Sequence, residues 1–275
     1  MTQKPIYITD LDHTFLRTDQ SISDFSANIW NNKSKDNILT IATARSFQKS
    51  CDFLSKLHLD APMILLDGSM VVTPDKKLID IKIISKPLAD AIIHEGKKFN
   101  ILPFIIALKD MQLNEAFLFP TTLNTHQHGV LENYRNDPRM IACETLYAME
   151  MNLKLVYFGD FEILKPLAVH LQSVFGKELE YKLAPEKYSD GYFLTVLHPE
   201  GDKAHALQKV MEYLGREVAD VTVFGDSVND IGMFKLAGTA VAVANALDEV
   251  KAVADIILSH SNDEDGVAHY LDAQP

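Results

Sequence analysis

Short apolar runs alternate with amphipathic stretches along this chain, which is the sequence pattern of parallel strands joined by crossover helices. The predicted core strands are residues 5–9, 37–42, 62–66, 221–224, 239–243 and 255–258. Several are apolar throughout, as is typical of strands covered on both faces of a sheet. The predicted helices between them include residues 46–57, 204–214 and 231–236. We therefore predict an α/β fold with a doubly wound, mostly parallel sheet.

The middle of the chain has a different texture, with apolar runs near residues 101–108, 116–119, 153–158 and 192–197 and helical stretches near 88–99 and 162–175. A length of 275 residues leaves room for two domains. We interpret residues 84–196 as an inserted α+β domain that acts as a lid. Residues 1–83 and 197–275 would then form one core.

Charge and cysteine content limit the class of function. The chain has 26 Lys and Arg against 38 Asp and Glu, a formal net charge of -12. This charge disfavours binding to nucleic acid or to anionic membranes. Two cysteines, Cys51 and Cys143, are typical of reduced thiols. With neither a signal-peptide pattern nor a membrane-length apolar run, we expect a cytoplasmic protein, and its oligomeric state stays open.

Two carboxylates follow the first predicted strand. Asp10 and Asp12 are two residues apart, so in an extended chain both point to one face, into the crevice where α/β sheets bind ligands. Two acids this close repel each other unless a cation lies between them, which suggests a divalent metal. The alternative is a solvated strand end with ordinary loop acids.

Two further positions follow a strand or begin a helix. The Thr43 hydroxyl, with the amides of the next helix start, could hold a phosphate oxygen, or it could simply cap that helix. Lys203 lies in the first turn of a predicted helix, where a lysine needs an anionic partner unless it is merely solvated. Both alternatives stay open on these residues alone.

The most specific segment is Gly225-Asp226-Ser227-Val228-Asn229-Asp230, directly after an apolar strand. Asp226 lies at the strand end and Asp230 one helical turn further on, so both can face one point. Hard oxygen ligands gathered in this way suit Mg²⁺, which keeps some of its waters and shares its shell with phosphate. An ordinary capped loop is the alternative.

In this order and context, Asp10-Leu11-Asp12-His13-Thr14, Thr43, Lys203 and residues 225–230 resemble the four motifs of the haloacid dehalogenase superfamily. Within that superfamily, the chain resembles the Cof-type phosphatase branch, whose cap domain lies between the second and third motifs. Further matching segments are Ala237-Gly238, residues 241–246 and residues 265–268. Three positions depart from the family pattern: His13 and Ala44 each stand where glycine is usual, and Asp67 stands where an asparagine often precedes Gly68.

The resemblance implies a role for each motif. Asp10 would attack phosphorus, and Asp12 would protonate the leaving group and later activate water. Thr43 and Lys203 would hold phosphate oxygens. Mg²⁺ would be bound by Asp10, Asp226 and the backbone carbonyl of Asp12, while Asn229 and Asp230 complete or orient its shell.

The predicted function is therefore a Mg²⁺-dependent phosphatase of a small phosphorylated metabolite, with a sugar phosphate implied by the resemblance. A phosphomutase-like transferase and a noncatalytic regulator that binds phosphate or Mg²⁺ are the alternatives. Cap residues would set specificity, and the basic candidates are Lys109, Arg135, Arg139 and Lys154. We interpret His126 and His128 as surface or packing residues. Asn245 either supports the site or satisfies its own loop.

Overall fold

The computed structural model describes residues 3–186 and 191–275, including their side chains except those of residues 52 and 53. The strands, in chain order, are β1 (Ile6–Thr9), β2 (Ile38–Ile41), β3 (Met63–Leu65), β4 (Met70–Val72), β5 (Leu78–Ile81), β6 (Phe104–Leu108), β7 (Glu115–Pro120), β8 (Met140–Cys143), β9 (Met151–Gly159), β10 (Glu180–Pro185), β11 (Tyr192–Leu197), β12 (Val221–Gly225), β13 (Thr239–Ala242) and β14 (Ile256–Ile257). The α-helices are α1 (Asp24–Lys33), α2 (Phe47–Leu54), α3 (Lys86–Lys97), α4 (Thr125–Glu132), α5 (Phe161–Phe175), α6 (Lys203–Leu214), α7 (Ile231–Phe234), α8 (Asp248–Lys251) and α9 (Gly266–Asp272).

The chain divides into two compact units, Met1–Ile81 with Asp202–Pro275, and Lys82–Gly201. The sequence places the domain boundaries at 83/84 and 196/197, and the assignment of residues 84–196 as an inserted lid domain stays a prediction. Among the described helices, none combines the length and the apolar character that crossing a bilayer requires.

The first unit is built on a parallel sheet with the strand order β14-β13-β12-β1-β2. Its central strands are buried because helices follow them along the chain and apolar side chains occupy both faces. The strand order changes direction at β1 and β12, and the carboxyl ends of such a pair form the crevice where α/β folds bind ligands. The predicted α/β fold with a mostly parallel sheet is confirmed.

The predicted strand at residues 62–66 has a different place in the fold. It forms β3, which pairs antiparallel with β4 in the three-stranded sheet β3-β4-β5. A parallel bridge between Ala42 and Ile64, and a hydrogen bond from Thr43 N to Ile64 O (2.9 Å), join β3 to the end of β2. The carboxyl ends of β2 and β3 therefore meet beside the crevice.

The second unit has the sheet order β10-β11-β9-β6-β7-β8, antiparallel except for the pair β7 and β8. Its core includes apolar residues of α3, α5 and one face of the sheet, such as Ile92, Leu167, Leu155 and Tyr157. This unit contains both helices and a mostly antiparallel sheet, as expected of an α+β domain.

Candidate active site

The ends of β1 and β12 place two buried carboxylates side by side. Thr9 is in register with Phe224, and the amide of Asp10 donates to Phe224 O at 3.0 Å. Asp10 and Asp226 directly follow these strands and are 5% and 1% exposed. With Asp230, they form a group whose carboxylate oxygens lie within 4.8 Å of one another.

Lys203 lies between two of these acids. Its Nζ donates to Asp10 Oδ1 at 2.8 Å and to Asp230 Oδ1 at 2.7 Å, and the side chain is fully buried. Helix α6 brings it there, since the Asp202 side chain caps the helix by accepting from His205 N. The anionic partner that a lysine in a first helical turn requires is thus a pair of carboxylates, and the solvated alternative is excluded.

The loop after β12 holds Asp226 and Asp230 in fixed positions. Asp230 Oδ2 accepts from the amides of Asp226 (3.0 Å) and Ser227 (3.1 Å), and Asp226 Oδ1 accepts from the Thr14 hydroxyl (2.8 Å). A Cβ on Gly225 would lie 2.4 Å from Asp230 Cγ, so this turn requires glycine there. Since both oxygens of Asp230 already accept hydrogen bonds, this residue is suited to orient Lys203 and the loop.

The Asp12 side chain is paired with Arg45 and not with the acidic cluster. It lies in a turn, Leu11–Phe15, where its backbone is extended and His13 is left-handed with φ 57°. The Asp12 carboxylate forms a two-point ion pair with Arg45, from Nε at 2.7 Å and from a second guanidinium nitrogen. The carboxylate of Asp12 is therefore outside the three-acid group, and the role of its carbonyl at the metal stays a prediction.

Thr43 is fully buried next to this ion pair. Its hydroxyl accepts from the amide of Arg45 at 3.2 Å, and its carbonyl accepts from the amide of Asp67 at 3.0 Å. The cap of α2 is Ser46, not Thr43. The helix-cap alternative for Thr43 is therefore wrong, and its phosphate-binding role stays a prediction.

Three hydrogen bonds at the site are not predicted by the sequence. The Asn229 side-chain amide donates to Asp67 Oδ1 at 2.9 Å. Asn245 Nδ2 donates to His13 O at 2.8 Å, and Asn245 Oδ1 accepts from Asn262 N at 2.9 Å, so Asn245 links the β1 turn to the segment before α9. A polar residue directly after the apolar run 62–66 is the available signal for Asp67. The hydrogen bonds of Asn245 favour the supporting role considered for it.

The other residues considered in the sequence analysis belong to the second unit, and several have partners within it. His126 Nε2 lies 3.1 Å from Asp160 Oδ1, Arg135 pairs with Glu132, and Arg139 pairs with Asp137 and Glu115. Lys109 is exposed, whereas Lys154 is buried. These contacts do not test the prediction that substrate specificity is set by the basic residues Lys109, Arg135, Arg139 and Lys154.

Burial and mutual repulsion control the electrostatics of the cluster. Burial raises the pKa of Asp10 well above its ordinary value; Lys203 opposes this, while Asp230, Asp226 and Asp12 add to it. Burial alone would lower the pKa of Lys203, but Asp10 and Asp230 raise it above its ordinary value. Lys203 therefore stays protonated.

The donor set fits a bound cation. Asp10, Asp226, Asp230 and Lys203 amount to three carboxylates against one ammonium, a net negative charge in a buried place. Buried carboxylates of like charge are costly unless a cation neutralises them. Oxygen donors of this kind are those that hard divalent ions prefer.

A mostly parallel sheet with a buried acidic cluster at the carboxyl ends of its strands defines an α/β protein with a candidate cation site. The family model for haloacid dehalogenase-like hydrolases matches residues 7–271. The chain therefore belongs to the haloacid dehalogenase-like hydrolase family, and the Cof-type resemblance is confirmed.

Curated relatives match over nearly their whole length. The chain is 25% identical to the 5-amino-6-(5-phospho-D-ribitylamino)uracil phosphatase YitU of Bacillus subtilis, covering 98% of each chain. It is 24% identical to the HMP-PP phosphatase of Cronobacter sakazakii, covering 95% of this chain and 92% of the relative. The predicted enzyme class, a phosphoric monoester hydrolase, is confirmed at the level of the family.

A solved structure has the same fold. SMU.1108c from Streptococcus mutans superposes with a TM-score of 0.82 at 20% identity, covering 98% of both chains. The family assignment and the fold thus agree over nearly the full length.

Proposed function

We propose that this protein is a Mg²⁺-dependent phosphatase that hydrolyses a small phosphorylated metabolite through a phosphorylated Asp10. The observation that carries this proposal is the buried contact of Lys203 Nζ with Asp10 Oδ1 at 2.8 Å, beside Asp226. It supports a carboxylate held in place as a nucleophile, with an ammonium next to the position of an incoming phosphoryl group.

Phosphoryl transfer requires an in-line nucleophile, neutralisation of the phosphoryl oxygens and an acid for the leaving group. In the proposed first step, an Asp10 carboxylate oxygen forms a bond to phosphorus as the ester P–O bond breaks. Asp12 gives its proton to the departing alkoxide. In the second step Asp12 takes a proton from water, whose oxygen attacks phosphorus and releases phosphate and free Asp10.

Other residues of the chain would hold the substrate during these steps. Lys203 and the Thr43 hydroxyl would bind phosphoryl oxygens, and Asp230 would keep Lys203 in position through the contact at 2.7 Å. A Mg²⁺ ion held by Asp10, Asp226 and the Asp12 carbonyl would neutralise phosphoryl charge when bound. For Asp12 to reach a leaving group, its carboxylate has to separate from Arg45.

The identity of the phosphorylated metabolite is a more specific part of the proposal. The two full-length relatives carry names with different phosphorylated substrates, so their names support a phosphorylated metabolite without selecting one. The family resemblance favours a sugar phosphate. The resemblance likewise assigns substrate choice to the inserted unit, which stays a prediction.

The proposal is tested by incubating purified protein with p-nitrophenyl phosphate, then with a panel of phosphorylated metabolites, in the presence of Mg²⁺. We expect turnover that chelator removes and added Mg²⁺ restores. Asp10→Asn, which keeps the shape of the side chain, should lower kcat by at least about 10³-fold with unchanged folding. Near-normal turnover by Asp10→Asn would refute the nucleophile, and a phosphorylated second product in place of inorganic phosphate would identify a phosphomutase.

A further inference from the structure

The loop after β3, consisting of Leu66, Asp67 and Gly68, has an unusual backbone. All three residues have positive φ, at 51°, 63° and 118°. Left-handed backbone is unfavourable for a residue with a side chain, and a run of such residues persists only where surrounding contacts impose it. Residues held in this way cluster at functional sites, so the contacts of this β3 loop are informative.

The β3 loop contacts three of the four motif segments. The amides of Leu66 and Asp67 donate to Arg45 O and Thr43 O, each at 3.0 Å. Gly68 packs on the backbone that precedes Lys203, where an added Cβ would lie 2.1 Å from Asp202 O. The Asp67 side chain accepts from Asn229. One short segment therefore fixes the positions of the loops that carry Thr43, Lys203 and Asn229.

The bond between Asp67 and Asn229 determines which way the Asn229 amide faces. Asp67 is 4% exposed, and its carboxylate oxygen at 2.9 Å accepts from Nδ2. A carboxylate accepts hydrogen bonds but does not donate them, so the oxygen of the Asn229 amide would be repelled at this position. An asparagine at position 67 could either donate or accept, and both orientations of the Asn229 amide would then be allowed.

The backbone of Asn229 is already held on both sides. It lies in the helical turn Val228–Asp230, which Ser227 and Asp230 close by reciprocal side-chain to backbone hydrogen bonds. Although the backbone of Asn229 is held, its terminal amide could still rotate, and the hydrogen bond to Asp67 prevents this rotation.

We propose that Asp67 is a positioning residue of this site, which turns Asn229 Nδ2 toward itself and so presents the Asn229 carbonyl oxygen to the Mg²⁺ held by Asp10 and Asp226. This inference rests on the proposed function, because it assigns a role toward the metal of that site. Residues that orient a metal ligand typically affect metal affinity by 10- to 100-fold.

The test measures Mg²⁺ affinity by isothermal titration calorimetry, separately from turnover of p-nitrophenyl phosphate. Asp67→Asn preserves side-chain shape and tolerates the left-handed backbone. We expect its Mg²⁺ Kd to rise at least about twofold, because two equally populated amide orientations halve the competent fraction, and up to about 10-fold. Asn229→Ala should weaken Mg²⁺ binding at least as much. Because Asp67 acts through Asn229, adding Asp67→Asn to Asn229→Ala should leave Kd unchanged.

A matched control is available on the surface of the second unit, where Asp110 Oδ2 accepts from Asn114 Nδ2 at 2.7 Å. Asp110→Asn alters the same kind of hydrogen bond in the unit that does not contain Asp10, Asp226 and Asp230, and it should leave Mg²⁺ Kd unchanged. Thermal unfolding of every variant shows whether it is folded.

The outcomes separate this inference from the proposed function. If the wild-type protein binds Mg²⁺ and Asp67→Asn lowers the melting temperature with an unchanged Kd, Asp67 is merely structural and the inference is overturned. Additive effects in the double variant would also overturn it. If Asp67→Asn weakens Mg²⁺ binding as expected but the wild-type protein hydrolyses no phosphate ester, the inference survives and the phosphatase proposal fails.

Discussion

Lys203 has no exposed surface, and its ammonium lies between the carboxylates of Asp10 and Asp230. Replacing it by Met would preserve most of the buried volume but leave two buried acids without their shared cation. Breaking a buried ion pair by removing one partner typically costs about 3–5 kcal/mol. We expect Lys203→Met to lower the free energy of unfolding by roughly this amount in urea denaturation monitored by circular dichroism.

Lys209 is the matched control for this prediction, because it lies on the same helix and pairs with Glu212 at 2.9 Å on the surface. Exposed pairs of this kind contribute about 0.2–1 kcal/mol. Lys209→Met should therefore have little effect. Equal losses in the two variants would show that burial of the Lys203 ion pair has no special importance for folding.

Asp265 is a second charged residue whose contribution to stability can be isolated. Burial would raise its pKa, but hydrogen bonds from Arg17, Ser23 and Ser26 hold it below the ordinary value. Because the folded-state pKa is depressed, the stabilisation is complete above the unfolded-state pKa near 3.8 and is lost as the pH falls through the folded-state pKa. At neutral pH we expect Asp265→Asn to destabilise the protein by about 1–2 kcal/mol.

This difference from the wild type should shrink as the pH is lowered below about 4, which urea denaturation at several pH values would measure. Asparagine tolerates the left-handed backbone of residue 265, with φ 57°, so the substitution changes mainly the charge. Asp272→Asn, at an exposed position in the last turn of α9, is the control and should stay within about 0.5 kcal/mol. A difference for Asp265→Asn that is independent of pH would contradict the assignment.

Among the elements, the β3 loop offers a direct test of backbone packing. An alanine at position 68 would need a φ of 118° and would place its Cβ against Asp202 O. We expect Gly68→Ala to lower the free energy of unfolding by more than about 2 kcal/mol and to reduce turnover by displacing the start of α6. Gly129→Ala in α4 has open space around the new Cβ and should be neutral or stabilising by up to about 1 kcal/mol.

How far the elements follow from the sequence depends on their burial. The strands β1, β2, β12 and β13 are largely buried, so their apolar runs predict them to within about two residues. The sequence does not predict helix α1, because its buried residues are only Ser26 and Trp30, which leaves little amphipathic pattern. The sequence does not predict edge strand β10 either, since most of its residues are only partly buried.

The residues of the candidate site also differ in how far the sequence predicts them. Asp10, Lys203, Asp226 and Asp230 lie at strand ends or a helix start that local sequence reveals, and the fold brings these four together. The pairs Asp12 with Arg45 and Asp67 with Asn229 join loops that are distant in sequence. Such pairs depend on how neighbouring strand ends meet, which the periodicity of a single chain does not encode.

For the whole molecule, the division into two units matters because each has its own core. The second unit is one continuous segment, Lys82–Gly201. An ion pair between Lys82 Nζ and Glu200 Oε2, at 2.9 Å, joins its two ends. A compact segment with its own hydrophobic core and adjacent ends is expected to fold alone. Residues 82–201 expressed by themselves should therefore unfold cooperatively, and their melting temperature identifies this unit's transition in the full chain.

Mg²⁺ should then stabilise the two units unequally, because Asp10, Asp226 and Asp230 all belong to the first. A ligand that binds only the folded state stabilises it by about 2.7 kcal/mol at 100 times its Kd, or about 5–10 °C for a unit of this size. Calorimetry of the full chain should show only the transition of the first unit rising with Mg²⁺. Asp226→Asn should abolish this rise. It should also leave the metal-free protein at least as stable as the wild type, since one buried carboxylate fewer reduces the repulsion. A rise in both transitions, or a rise that persists in Asp226→Asn, would place the cation elsewhere.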